Sequence, residues 1–308
     1  MRRCMCLVAV TLLGVCVTGV TYEARQPRPE IHGVREVAEN LYMLGNDPAI
    51  PGMQTGGNTV MFVTAVGVTL VDTKLEGYGQ DILDLVASVT NNPVTTIINT
   101  HTHYDHTGSN TEFPDTVDFV VHENTLAQLS RATCEPVTNC DAFKGENSSY
   151  LPRITYSQRT SLFTGDDQID LYYFGRGHTD GDTFVVFKAA RAMHTGDMFQ
   201  RKGLPFIDVA NGNGSAVEFG STLSKAVAGI DEVDTVIPGH QTEPVTWDDF
   251  VNFSGFFNDL IEKAQSGIAN GQSAQQVADA YAKPSRYSDF QAPPQTVRTI
   301  VEHVYSEQ

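Results

Sequence analysis

The chain has 308 residues, 41% of them hydrophobic, which is enough for one large domain or for a core domain with an extension, and the composition excludes a disordered chain. Its formal net charge of −17 sets up a field that repels nucleic acid and anionic membrane surfaces, so neither is expected as a partner. Acidity favours solubility and does not identify a substrate.

Arg2 and Arg3, followed by the apolar run Cys4 to Val20, read as a signal peptide over residues 1–24, with Val17, Gly19 and Ala24 near possible cleavage points. The run is short for a full membrane span of roughly 20 residues. Cleavage, export to the periplasm or medium and no stable membrane insertion afterwards are therefore expected, with retention as a single anchor as the alternative. Residues 25–34 form a Pro-containing linker.

Short β-rich runs follow. Leu41–Leu44 is one, and Asn58–Thr64 with Val68–Val71, split by Gly67, reads as a hairpin. Ile82, Leu85 and Val89 give a helical spacing over 78–89, and Val94–Thr100 is again a strand. Further strands are expected at 119–121, 169–174, 183–187 and 235–237, with helices over 124–131 and 215–230, the latter capped by Ser215. Residues 132–165 are polar and irregular and read as an insertion loop. From Trp247 the pattern turns helical, with Phe250, Phe253, Phe257, Leu260, Ile261 and Ala264 on one face. The expected division is a catalytic domain over 35–246 and a helical C-terminal extension over 247–308. The element order suggests two sheets with helices outside.

Cys4, Cys6 and Cys16 lie in the leader, leaving Cys134 and Cys140 in the mature chain. In an oxidising compartment such a pair, enclosing Pro136, suggests a disulfide closing a small loop.

His101, His103, Asp105 and His106 stand together straight after a strand. Residues alternating out of a strand point the same way, so His101 and His103 can share one metal ion while Asp105 and His106 face a neighbouring position. Imidazole plus carboxylate suits zinc, and also iron or manganese. His178, Asp197 and His240 also follow strand candidates, each preceded by glycine, which lets the backbone approach closely. Asp72 closes the strand Val68–Asp72. His194 stands near Asp197, and Tyr104 and Phe206 are candidate pocket residues. His32, His122 and His303 match no pattern and read as surface residues.

Leu70-Val-Asp-Thr73, Thr100-His-Thr-His-Tyr-Asp-His-Thr-Gly108, Gly177-His-Thr179, Thr195-Gly-Asp197 and Pro238-Gly-His240, in this order, resemble the metallo-β-lactamase fold superfamily. The resemblance covers about residues 35–245. It implies an α/β fold, an αββα four-layer sandwich, with metals at one edge. It also implies two Zn2+ ions: His101, His103 and His178 for the first, Asp105, His106 and His240 for the second, and Asp197 bridging, with Asp72 orienting the ligand turn rather than ligating. Some β-lactamases carry cysteine where Asp197 stands, and aspartate there resembles the glyoxalase II and lactonase branches.

The chemistry expected is hydrolysis: a hydroxide shared by two cations attacks a carbonyl of a small ester, lactone, thioester or β-lactam, and Asp105 shuttles the proton. The alternatives are an iron-dependent sulfur-oxidising oxidoreductase of the same fold, or a true metallo-β-lactamase. Nothing in the sequence fixes substrate identity or oligomeric state.

Overall fold

The computed structural model describes residues 28–50 and 52–308. The expected leader lies outside the described residues. Strands β1 (Arg35–Ala38), β2 (Leu41–Leu44), β3 (Thr59–Thr64), β4 (Gly67–Val71), β5 (Val94–Ile98), β6 (Asp118–His122) and β7 (Ile154–Tyr156) form one sheet in chain order. Strands β8 (Arg159–Leu162), β9 (Ile169–Tyr172), β10 (Phe184–Phe187), β11 (Ala192–His194), β12 (Thr235–Ile237) and β13 (Val245–Thr246) form the second. Strands β4 to β7 run parallel, as do β11 and β12, while the remaining neighbours are antiparallel.

Central strands are buried on both faces, so they read as nearly continuous apolar runs. Their alternation still decides which layer each side chain joins. Val60, Phe62, Val71, Ile98 and Val120 turn inward and meet Leu171, Val185, Phe187 and Ile237 of the other sheet. Their neighbours Met61, Leu70, Ile97 and Phe119 turn outward onto Ile82 and Val86 of helix α1 (Gly79–Val89). On the far side, Phe184, Val186, Met193 and Val236 pack under later helices. Helix, sheet, sheet and helix layers result, as the resemblance implies.

Two short helices, α2 (Tyr104–Thr107) and α3 (Glu123–Leu129), lie among the strands of the first sheet. Helix α4 (Ala216–Gly229) begins at Ser215, whose hydroxyl accepts from the Glu218 amide, a cap of the kind that contributes about 1 kcal/mol. The region after residue 247 is helical: α5 (Trp247–Ala269), α6 (Ala274–Ala280) and α7 (Pro294–Ser306). Phe253, Phe257, Ile300 and Val304 join the same core as α4. Glu307, just past α7, accepts from the Ala216 amide at 2.8 Å and ties the end of the chain to the start of α4. Gln291, before α7, exchanges backbone hydrogen bonds with the segment 202–204 beside the candidate site.

Two expectations are corrected. The segment 132–165 is not wholly irregular: it ends in β7 and β8, so the chain crosses from one sheet to the other between Tyr156 and Arg159. Both strands are short edge strands with largely exposed side chains, which leaves no apolar alternation to read. His122 is buried, not superficial. It stacks on Tyr173 with ring centroids 3.9 Å apart and accepts the Asn124 amide at the start of α3. Cys134 and Cys140 are joined by a disulfide. Their loop braces the histidine-rich turn, because the Val137 carbonyl accepts from the Tyr104 amide at 3.1 Å.

Candidate metal centre

Parallel strands leave their C-terminal ends on one edge, the usual place for a site in such sheets. Asp72 follows β4, His101 and His103 follow β5, Asp197 follows β11 and His240 follows β12. Asp105 and His106 sit on α2, and His178 lies in the loop between β9 and β10. All seven candidate ligands converge there. They fall into three overlapping sets: His101, His103 and His178; His101, His106 and Asp197; and Asp105, His106 and His240. Within each set the donor atoms lie within 4.8 Å of one another.

The Nδ1 atom of His103 is 2.9 Å from Nε2 of His178, and Nε2 of His106 is 3.2 Å from Nε2 of His240. Donor atoms bound tetrahedrally at zinc distances lie about 3.3 Å apart, close to this spacing. Asp197 straddles the sets: its Oδ2 is 3.5 Å from His178 Nε2, while its Oδ1 is 3.3 Å from His106 and 3.1 Å from His240.

The outer nitrogen of each ring shows which lone pair points inward. Asp72 is a carboxylate 2.6 Å from His106 Nδ1, and the Phe206 carbonyl is 2.8 Å from His178 Nδ1. Both can only accept, so those nitrogens donate and each Nε2 keeps a lone pair. Asp208 does the same at 2.9 Å from His103 Nε2, leaving Nδ1 free. The Thr100 hydroxyl donates to Asp72 and so accepts from His101 Nδ1 at 2.9 Å. Nε2 of His101 and Oδ1 of Asp197 are then buried without a hydrogen-bond partner, which is the state of donors built for a cation.

Electrostatics agree. Burial opposes charge on His106, yet Asp105, Asp197 and Asp72 outweigh it and raise its proton affinity well above the ordinary value. Burial and the neighbouring imidazoles push His101 far down. Burial works against the Asp72 carboxylate, but His106 and His194 hold it at about 2. The cluster draws positive charge to its centre, and its residues fit divalent cations.

The family model of the metallo-beta-lactamase superfamily matches residues 53–240, more than half of the chain. The chain belongs to the metallo-beta-lactamase superfamily. No curated protein matches it in sequence. Among solved structures, a metallo-beta-lactamase from Pontibacter korlensis is similar at a TM-score of 0.59 and 18% identity, over 73% of this chain and 98% of that one. The metallo-beta-lactamase DIM-1 is similar at 0.58 and 17%, over 75% and 98%. A double mutant of the sec-alkyl sulfatase PisA1 is similar at 0.70 and 14%, over 89% of this chain and 50% of that one. At these identities the likeness is one of fold.

The other pocket candidates, His194, Tyr104 and Phe206, stand beside this cluster in chain or in space. His194 Nε2 is 3.7 Å from Asp72, while its Nδ1 donates to the Ile237 carbonyl at 2.8 Å. Tyr104 and Phe206 are exposed, and the Phe206 ring lies 5.8 Å from that of His178. Ile50 and Met53 are exposed too, and with Arg201, His240 and Gln291 they line a cleft of about 440 Å³.

Three supporting residues went unread in the sequence. Asp208 holds His103, Gln200 donates to Asp197 Oδ2 at 2.9 Å, and Lys74 is wholly buried with its ammonium on the Gly57 carbonyl. Burial pushes Lys74 down to about 7 against the pull of Asp72 and Asp105. Only for Lys74 was there a usable signal: a lysine directly after the Leu70–Thr73 motif, where the chain leaves a buried strand.

Proposed function

We propose that the chain is an exported binuclear zinc hydrolase acting on a small carbonyl substrate with an apolar flank. The observation that carries the reading is Asp197, whose two oxygens face two abutting sets of donors. In this assignment His101, His103 and His178 hold one cation, Asp105, His106 and His240 the other, and Asp197 both. When bound, two such cations supply Lewis acidity and hydroxide at neutral pH. Asp72, Asp208 and the Phe206 carbonyl hold the imidazoles in one tautomer so that their lone pairs face inward. Asp105, 3.3 Å from His240, is placed to take the proton released by the attacking water and pass it to the leaving group.

The apolar residues Ile50, Met53 and Phe206 favour a substrate with hydrocarbon on either side of the scissile bond, and Arg201 gives the cleft one positive group. The disulfide fits an oxidising compartment and supports export. No helix among the described residues is long and apolar enough to cross a membrane.

A second reading, hydrolysis of a sulfate ester, has one observation in its favour. The likeness to PisA1 extends over 89% of this chain, too much to omit the helices after residue 247, whereas the likeness to the P. korlensis β-lactamase stops at 73%.

Zinc-loaded protein tested on aryl esters, acyl-homoserine lactones, S-lactoylglutathione, nitrocefin and an alkyl sulfate separates these readings. Turnover of the esters or lactones is expected. Turnover of the alkyl sulfate alone selects the second reading. Iron in the purified protein with oxygen uptake, and no hydrolysis, refutes both in favour of an oxidoreductase.

A further inference from the structure

Lys74 is wholly buried and sits at φ +64°, a left-handed backbone that any residue with a Cβ disfavours. A buried ammonium is costly unless it is paired. Among the described residues its one hydrogen bond goes to the Gly57 carbonyl, at 2.9 Å. A methionine would fill the same space without a charge, and a glycine would relieve the backbone. A residue that meets both penalties at once is held there by what it touches.

What it touches is the segment 55–58. The Gly57 amide donates to the Asp105 carbonyl at 2.9 Å. A Cβ on Gly57 would come within 2.3 Å of the His106 ring, so the bare backbone packs directly on that imidazole. The Asn58 amide donates to the Gly239 carbonyl at 2.7 Å, and its side chain donates to the carbonyls of Pro238 and Gln241 at 2.8 and 2.7 Å, on either side of His240. This segment therefore braces the backbone or ring of Asp105, His106 and His240. The chain around Lys74 is itself tied to the same turn: the Thr73 amide donates to the His106 carbonyl, and the Gly108 amide to the Lys74 carbonyl.

We propose that Lys74 is a positioning residue whose ammonium locks the segment 55–58 against the ligand turn and so sets Asp105, His106 and His240 for the second cation. The inference rests on the two-cation reading. It makes a prediction opposite in sign to simple electrostatics. Where Lys74 carries its proton, its positive charge repels two nearby cations, so removing it would by itself tighten their binding. Loss of a strut loosens the second cation instead.

The test is Lys74→Met, with zinc uptake followed by chelator competition and by metal stoichiometry. The second ion is expected to bind roughly tenfold or more weakly, as when a partner behind a ligand is lost, while the first ion keeps its affinity. A second ion bound as tightly as in the parent, or more tightly, overturns the proposal. Should the methionine variant melt below the assay temperature, Lys74→Gly replaces it. That variant frees the left-handed backbone, and the same selective loss is expected. Equal weakening of both ions in either variant also overturns the proposal, because it marks general loosening. If the parent protein itself binds fewer than two ions, the two-cation reading fails, and that failure is read before any variant is compared.

Discussion

Asp208 fixes one imidazole of the proposed first set, and its removal has a consequence that can be worked out. The contact with His103 is 2.9 Å long, and both side chains are buried, 5% and 2% exposed. Asp208→Ala leaves the ring N–H unpaired away from water, a penalty of about 1–3 kcal/mol. It also frees the ring to turn, so the Nδ1 lone pair no longer points at the cation by default. Metal affinity at the first set should fall by about 10–100-fold. Asp208 Oδ1 additionally accepts the Asn211 amide at 3.0 Å, so the alanine variant loosens the loop as well. Asp208→Asn is the milder change: its single amide oxygen can still accept from one of the two partners, while its NH2 group replaces the second carboxylate oxygen and the negative charge is lost. Zinc titration against a chelator, with the absorption spectrum of the cobalt-substituted protein, reports the two sets separately. The alanine variant should bind the ion of the first set more weakly, and the asparagine variant should fall between it and the parent. An alanine variant with parental affinity for both ions would refute the claim that Asp208 locks His103.

Two further outcomes follow from the same geometry. Gly57→Ala drives a Cβ to 2.3 Å from a ring that Asp72 pins from behind at 2.6 Å, so neither side can yield. Overpacking of this kind should destabilise the protein by about 1–3 kcal/mol in a thermal melt, and an unchanged melt with two ions bound would sink that account. Burial raises the Asp182 carboxyl to about 8 despite hydrogen bonds from the Thr179 amide and hydroxyl. The folded value lies above the unfolded one, so as pH rises the unfolded chain releases its proton first. This group's contribution is full below about pH 4 and is lost between about pH 4 and pH 8, a change on the order of 5 kcal/mol. Denaturant melts of the metal-free protein should show that slope, and Asp182→Asn should flatten it. A variant with the parental pH dependence would show that Asp182 is already ionised in the fold.

What the sequence made legible, and what it hid, follow from the range of the interactions involved. His101 to His106 form one unbroken turn, and His178, Asp197 and His240 each stand just after a glycine near a strand end, so local pattern alone locates them. The two sheets are legible for a similar reason, since Val60 to Phe62 and Ile97 with Ile98 carry apolar residues on both faces. The edges are not. Strands β7 and β8 are three and four residues long and half exposed, so nothing in 154–162 distinguishes them from loop. Supports are hidden more deeply. Asp208 acts on a histidine 105 residues earlier, and Lys74 on a carbonyl 17 residues earlier, with no spacing rule linking either pair. The left-handed backbone at Lys74 is likewise invisible, because lysine, unlike the aspartate at position 72, is not a residue type enriched there. A ligand must be a particular residue at the end of a strand, and that is a local demand. A strut need only reach its target once the chain has folded, so its identity is set by distances the sequence does not display. It follows that substitutions at such struts should alter metal affinity while leaving every recognisable motif of the superfamily in place.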